Sequence, residues 1–193
     1  MKRVCVFCGS NTGSKQVYAE AAHNLGRLLA ERGVGLVYGG GRVGLMGILA
    51  DSALAASGEV IGIIPQGLFT REVAHEGLTE LRFVDSMHQR KAMMAELADG
   101  FIAMPGGYGT CEEFCEMVTW AQLGIHNKPC GVLNIDGFYN PFLIFLDHAV
   151  KEGFLRREHR AMVLEDEHPL ELLDKMQNYH PPVLKKWMDL DET

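Results

Sequence analysis

The chain has 193 residues, of which 47% are hydrophobic, and its formal net charge at pH 7 is -7. This length and apolar content predict one domain, residues 1–193, with a sizeable core. The acidic balance argues against binding of nucleic acid, and no apolar run approaches the roughly 20 residues that a membrane-spanning helix needs. We therefore expect a protein that binds neither nucleic acid nor membranes.

Short apolar runs rich in β-branched residues recur along the chain, mostly separated by helical patterns. They predict strands at residues 3–8, 34–38, 60–64, 80–84, 100–104 and 130–135, and a weaker one at 161–164. Strands that alternate with helices favour a parallel sheet covered on both faces. The sequence therefore predicts an α/β protein with a Rossmann-like three-layer α/β/α architecture and a mostly parallel central sheet of about seven strands.

The first helix is predicted from about Lys15 to Arg32, with Ser14 as its N-cap and Gly33 as its stop. The face of this helix toward the sheet is predicted to contain Val17, Ala21, Leu25, Leu28 and Leu29.

Three later helices have their own start signals. Capping boxes predict that one helix begins after Ser86 and that another begins after Thr110, with Glu113 as its third residue. Asn140-Pro141 predicts a further helix with proline at the first helical position.

The chain has five cysteines, an odd number, and its start lacks the apolar run of a signal peptide, so we expect reduced thiols and a cytoplasmic location. Cys5 and Cys8 lie in a predicted strand, where residues three apart point to opposite faces. Cys111 and Cys115 are one helical turn apart, but no second pair with zinc spacing accompanies them. We expect core or near-core thiols and no metal site.

Glycine-rich turns follow three of the predicted strands, at residues 9–14, 39–44 and 105–110. In an open α/β sheet the ligand lies outside the carboxyl ends of the strands, so the three turns predict a nucleotide-sized crevice. The 39–44 turn fits G-x-G-x-x-G, but the next strand ends without the acid that a dinucleotide requires. A mononucleotide contact is favoured over NAD, and simple strand-to-helix packing is an equal alternative.

Charged residues cluster beside two of the helix starts. Arg90 and Lys91 fall early in their helix, near the positive end of its dipole, which indicates either an anion site or two solvated surface cations. Glu113 is explained by its capping box alone. However, Glu112, Glu113 and Glu116 repel one another, and beside a cationic site such a cluster can keep one carboxyl protonated near neutral pH.

Two segments together resemble the signature of a known family. Residues 87–91 read Met-His-Gln-Arg-Lys, and residues 105–113 read Pro-Gly-Gly-Tyr-Gly-Thr-Cys-Glu-Glu. This pair resembles the LONELY GUY (LOG) family of cytokinin riboside 5'-monophosphate phosphoribohydrolases. Segments at 8–10, 38–41, 64–65, 119–126, 128–129 and 136–141 are also similar, so the resemblance covers nearly the whole chain. Cys111 departs from it, since an aliphatic residue is common there.

The resemblance implies hydrolysis of the N-glycosidic bond of an N6-prenylated adenosine 5'-monophosphate, without a cofactor, in a homodimer. It implies that Arg90 and Glu113 are the catalytic pair and Glu116 a helper. The substrate-binding positions it implies are Glu72, Lys91, Gly107, Tyr108, Gly109, Thr110, Cys111, Glu112 and Thr119. Ser10, Gly40, Gly41 and Gly44 are added because they lie on the same sheet edge.

Two other functions remain open at this point. One is a nucleosidase for AMP or other nucleoside 5'-monophosphates with broader specificity, and the other is a nucleotide sensor without turnover. The family's older label, lysine decarboxylase, is chemically poorly supported by the sequence, because no pyridoxal phosphate lysine motif is found.

Overall fold

The structure is a computed structural model that describes residues 1–69 and 74–182. In these residues one sheet contains the strands β1 (Arg3–Phe7), β2 (Gly35–Tyr38), β3 (Val60–Pro65), β4 (Glu80–Val84), β5 (Phe101–Ala103), β6 (Cys130–Leu133) and β7 (Val163–Asp166). All paired strands are parallel, in the order β4-β3-β2-β1-β5-β6-β7. The predicted parallel sheet is confirmed. The last strand begins two residues later than predicted, since its pairing with β6 starts at Val163, opposite Cys130, and ends at Asp166.

The helices are α1 (Gln16–Glu31), α2 (Gly44–Ala55), α3 (Gln66–Phe69), α4 (Met87–Leu97), α5 (Tyr108–Gln122), α6 (Asn140–Lys151), α7 (Arg157–Arg160) and α8 (Pro169–Gln177). One core joins α1, α2 and α8 to the sheet, and a second core joins α4, α5 and α6 to its other face. Within β1, Val4 and Val6 belong to the first core and Cys5 and Phe7 to the second. The alternation confirms the three-layer prediction.

Helix α1 begins differently from the prediction. Its N-cap is Lys15, in an extended conformation and without a side-chain cap, so the prediction of Ser14 was wrong. Val17 is exposed and Tyr18 is buried in its place. The buried stripe turns toward α2 as well as toward the sheet, because the two helices pack closely: a Cβ on Gly26 would lie 2.3 Å from the carbonyl oxygen of Leu49.

The strand order reverses between β1 and β5, and all three glycine-rich turns meet at the carboxyl edge there. The amide of Gly9 donates to the carbonyl of Pro105 (3.0 Å), and the amide of Leu45 donates to the carbonyl of Gly9 (3.1 Å). Gly44 has a φ of 61°, and a Cβ on it would lie 2.2 Å from the backbone of Ser10. Ligands of open α/β sheets bind at such reversal points.

Within residues 1–69 and 74–182, no helix is long and apolar enough to cross a membrane.

Candidate active site

Helix α4 begins as its capping box predicts. The hydroxyl of Ser86 accepts a hydrogen bond from the amide of Gln89 (3.2 Å), which confirms Ser86 as N-cap. The side chain of Gln89 reaches one residue further back than expected and accepts from the amide of Asp85 (2.8 Å). This start fixes the rotation of α4 and places Arg90 and Lys91 on its inward side.

Arg90 is a buried cation at the carboxyl edge of the sheet. Its side chain is 11% exposed, and Nη2 lies 3.8 Å from Oε1 of Glu113 and donates to the carbonyl oxygen of Gly39 at 3.4 Å. Its Nε is also buried and has no hydrogen-bond partner among the described residues. The alternative of two solvated surface cations is therefore wrong, and the guanidinium lines a cavity in which it can bind an anion or a base.

Helix α5 begins three residues earlier than its capping box predicts. Its N-cap is Gly107, which provides no side chain, and Thr110 lies inside the first turn. The capping-box prediction was wrong because Thr110 packs back onto the glycine turn, where a Cβ on Gly106 would lie 2.1 Å from the threonine hydroxyl. Glu113 therefore lies beyond the first turn, so its explanation as a capping residue was wrong.

Glu113 is a buried carboxyl, 9% exposed, next to a cation. Burial raises its pKa; Arg90 and Lys91 oppose the shift, while Glu112 and Glu116 add to it. The net direction is upward, so the proton of Glu113 is available closer to neutral pH than that of an exposed glutamate. Proton transfer in catalysis depends on such a shift.

Lys91 ties the other two carboxylates of α5 together. Its side chain is 10% exposed and forms ion pairs with Glu112 and, at 3.1 Å, with Glu116. Burial lowers the pKa of Lys91, but its hydrogen bonds to Glu112 and Glu116 outweigh that effect, so the pKa is raised overall. The ammonium partly offsets the acidic cluster and keeps Glu112 and Glu116 turned toward α4.

A cavity of about 280 Å³ lies in front of Arg90 and Glu113. We call it the Arg90–Glu113 cavity. The N-terminus of α5 forms one wall, where unpaired backbone N–H groups favour an anion. A second cavity of about 230 Å³ adjoins it across Gly9, Ser10 and Gly107, and has Tyr18 and Phe138 in its walls. The two cavities together lie where the three glycine-rich turns predict a nucleotide-sized crevice.

The structure brings many of the predicted site residues to the Arg90–Glu113 cavity. Its walls include Ser10, Arg90, Gly107, Tyr108, Gly109, Thr110, Glu112 and Glu113. Lys91 and Glu116 are not among its walls, but Lys91 forms an ion pair with the wall residue Glu112 as well as with Glu116. Glu72 lies outside the described residues.

Other predicted residues lie elsewhere. Gly40, Gly41 and Gly44 belong to the adjoining turn, but among the described residues Gly39 is the one of this turn that lines the cavity. Thr119 is about 16 Å further along α5 than Tyr108, given 1.5 Å per residue. It lines a separate groove with Phe142 and His159.

The sequence reasoning missed several cavity walls. The cavity is lined with apolar surface by Val6 and Phe7 from β1, by Cys8 directly after it, and by Met46 and Met87. Met87 is the first residue of the 87–91 motif, and Met46 follows a glycine-rich turn, so their positions in the sequence were the signal that could have identified them.

The prediction was confirmed for one pair of cysteines and wrong for the other. Cys5 and Cys8 are buried in opposite cores, as expected. Cys111 and Cys115 are exposed, so their prediction as core or near-core thiols was wrong. The buried side of α5 is formed by Glu113, Phe114 and Met117, which leaves both thiols on the opposite side.

The fold and the cavity define a class of protein. A buried Arg–Glu pair beside a helix N-terminus, at the reversal point of a parallel sheet, is typical of an α/β enzyme that acts on a phosphorylated nucleotide-sized ligand. Comparisons with known proteins identify the family.

A family model described as "Possible lysine decarboxylase" matches residues 46–176. The cytokinin riboside 5'-monophosphate phosphoribohydrolase LOG of Oryza sativa subsp. japonica is 52% identical over 180 residues, 93% of this chain and 74% of that protein. LOG7 of Arabidopsis thaliana, with the same activity in its name, is 51% identical over 180 residues, 93% of this chain and 83% of that protein. The chain belongs to the LOG family of cytokinin riboside 5'-monophosphate phosphoribohydrolases.

Solved structures agree on the fold. A molybdenum cofactor binding protein from Rippkaea orientalis superimposes with a TM-score of 0.69 at 21% identity, covering 92% of this chain and 97% of that chain. The molybdenum cofactor carrier protein of Chlamydomonas reinhardtii gives a TM-score of 0.69 at 17% identity, covering 92% and 99%. At these identities the similarity supports the architecture alone.

The decarboxylase description does not fit the residues present. Pyridoxal phosphate enzymes need a lysine amine that forms an imine, and a lowered pKa favours that form. Lys91 is the buried lysine of the described residues, and two carboxylates raise its pKa and hold it as an ammonium.

Proposed function

We propose that this protein hydrolyses the N-glycosidic bond of N6-prenylated adenosine 5'-monophosphate and releases the free cytokinin base and ribose 5-phosphate. The observation that carries the proposal is the Arg90–Glu113 pair between α4 and α5, whose side chains lie 3.8 Å apart and are only 11% and 12% exposed. A carboxyl and a guanidinium in one cavity provide the two charges that this reaction needs. The 51–52% identity to the LOG proteins of rice and Arabidopsis supports the same conclusion.

The N-terminus of α5 is the proposed site for the 5'-phosphate. Residues 107–110 line the cavity, and the unpaired N–H groups and the dipole of a helix N-terminus favour a negative charge there. With the phosphate at this point, the ribose lies over the first turns of α5, which brings its anomeric carbon toward Glu113. A riboside without phosphate loses this anchor.

Glu113 and Arg90 then act on the two sides of the breaking bond. As the C1'–N bond breaks, its electron pair goes to the base and positive charge develops on the ribose, which the carboxylate of Glu113 stabilises. A water molecule beside Glu113 bonds to C1' and gives up a proton to the carboxylate. The Glu113 carboxyl passes this proton to the departing base, which regenerates the carboxylate, and the guanidinium of Arg90 binds the base or the phosphate.

We further propose that the protein is cytoplasmic and works as a homodimer. The exposed apolar side chains of Ile144, Phe145 and Phe154, 66%, 61% and 88% exposed, support an interface on this side of the molecule. Thr119 lies on the same side, in the groove beside α6, and would reach a substrate only in the neighbouring subunit. Light scattering of the wild type and of Phe145→Ser tests the dimer, and a monomeric wild type contradicts it.

A substrate panel tests the activity. The protein is incubated with isopentenyladenosine 5'-monophosphate, with its riboside and with AMP, and base release is followed by chromatography. We expect rapid release from the prenylated monophosphate, little from AMP and none from the riboside. Faster release from AMP than from the prenylated monophosphate would favour the nucleosidase of broader specificity. Binding without base release from any of the three compounds would contradict the proposed enzyme activity. Glu113→Gln, prepared identically, excludes a contaminating nucleosidase.

A further inference from the structure

His75 is a buried histidine outside the Arg90–Glu113 cavity, only 7% exposed, and both of its ring nitrogens have partners. Nδ1 accepts a hydrogen bond from the amide of Gly77 at 3.1 Å, so the ring proton is on Nε2. Nε2 lies 2.8 Å from Oδ1 of Asp51 on α2 and donates to it. The ring therefore fastens the segment 74–77 to α2.

The backbone of the same segment holds the glycine turn that follows β2. The amide of His75 donates to the carbonyl oxygen of Gly40 at 3.1 Å, and Ala74 forms an antiparallel bridge with Gly41. Gly40 has a φ of 74°, a conformation that glycine adopts without strain. The turn is thus held by hydrogen bonds to residues 74–77 and not by side chains of its own.

The glycine turn also holds the side chain of Arg90 by a hydrogen bond. The carbonyl oxygen of Gly39 accepts from Nη2 of Arg90, the same nitrogen that faces Glu113. Space at this contact is tight, since a Cβ on Gly39 would lie 2.0 Å from Nη2. A shift of the Gly39 carbonyl therefore changes the direction of the guanidinium.

We propose that His75 and Asp51 are positioning residues for Arg90. They act through the 39–41 turn. The Asp51–His75 hydrogen bond holds residues 74–77 in place, and the backbone of these residues holds the turn. The Gly39 carbonyl then sets the direction in which the guanidinium faces the substrate. This inference rests on the proposed function, in which Arg90 contacts the nucleotide. Neither side chain touches the substrate, so their effect should depend on the presence of Arg90.

A double-mutant cycle tests that dependence. AMP binding is measured by calorimetry for the wild type, His75→Ala, Arg90→Ala and the double variant. We expect His75→Ala to weaken AMP binding at least about fivefold when Arg90 is present and to have no further effect in Arg90→Ala. Equal losses in both backgrounds would overturn the proposal, because a general loosening of the fold does not depend on Arg90.

Substitutions at Asp51 separate positioning from folding. Asp51 is exposed on α2, so Asp51→Ala should fold even if His75→Ala does not, and it should weaken AMP binding in the same Arg90-dependent way. Asp51→Asn keeps an oxygen acceptor for Nε2 and should restore binding to within about twofold of wild type. Wild-type binding in Asp51→Ala would overturn the proposal.

Base release, measured on the same proteins, keeps the two proposals apart. Absence of release from the wild type would contradict the proposed enzyme activity alone. The AMP-binding cycle would still decide whether His75 and Asp51 position Arg90.

Discussion

Gly39→Ala tests whether the direction of Arg90 controls the reaction. The added methyl group would lie 2.0 Å from Nη2 of Arg90, whereas ordinary contact begins at about 3.4 Å, so the guanidinium has to retreat by the difference, about 1.4 Å. A displacement of about 1 Å at a reacting group costs on the order of 100-fold in rate. We expect kcat/KM for base release to fall about 100-fold.

The fold should survive this substitution. Gly39 does not have a positive φ, so alanine fits its backbone, and the loss of one hydrogen bond of about 1 kcal/mol lowers Tm by no more than about 4 °C. Gly67→Ala is the matched control, because nothing lies within 4 Å of a Cβ there. Chromatography gives the rate and calorimetry gives Tm. Wild-type kcat/KM in Gly39→Ala would refute the role of the guanidinium position.

Two further predictions concern stability. Because burial raises the pKa of Glu113, the folded state holds this proton more tightly than the unfolded state, and the free energy of unfolding should fall as pH rises from about 4.5 through the raised pKa. Urea unfolding across this range should show a smaller decrease for Glu113→Gln, and equal slopes would argue against a buried carboxyl. Gly26→Ala should lower the free energy of unfolding by about 1–3 kcal/mol, since its Cβ would lie 2.3 Å from the carbonyl oxygen of Leu49. Calorimetry measures the loss, and an unchanged Tm would contradict the close approach of α1 and α2.

The sheet was largely predictable because its strands carry their own signal. Buried parallel strands are continuous apolar runs, as at β3 and β6, and these stand out from the helical pattern between them. The edge strand β7 alternates in burial and was placed two residues early. A weak alternating run does not fix its register, which depends on pairing with β6.

Helix starts were predictable where a side chain makes the cap. Ser86 bonds the amide of Gln89, and the local sequence contains both partners. The N-cap of α5 is Gly107, which offers no capping side chain. The prediction was therefore based on the nearest capping box, at Thr110. The decisive contact there, Thr110 against Gly106, depends on how the whole turn folds back.

The candidate site was likewise predictable where a local sequence motif indicated its residues, and not where it depends on contacts made by the fold. Arg90 and Glu113 were identified from two separate motifs, and the structure places them 3.8 Å apart because α4 and α5 pack on the same face of the sheet. The Asp51–His75 contact joins residues 24 apart without any motif, so no sequence pattern indicated it.

The two exposed thiols of α5 give the protein a built-in point of attachment for a fluorescent label. Cys5, Cys8 and Cys130 are buried, so a maleimide dye added to the folded protein reacts at Cys111 and Cys115. Replacing Cys115 with serine leaves a single dye directly after Thr110, a wall of the Arg90–Glu113 cavity. Because this thiol lies on the side of α5 opposite Glu113, the dye labels the helix without entering the cavity, and a change in its emission on addition of nucleotide follows binding even in variants that no longer turn over.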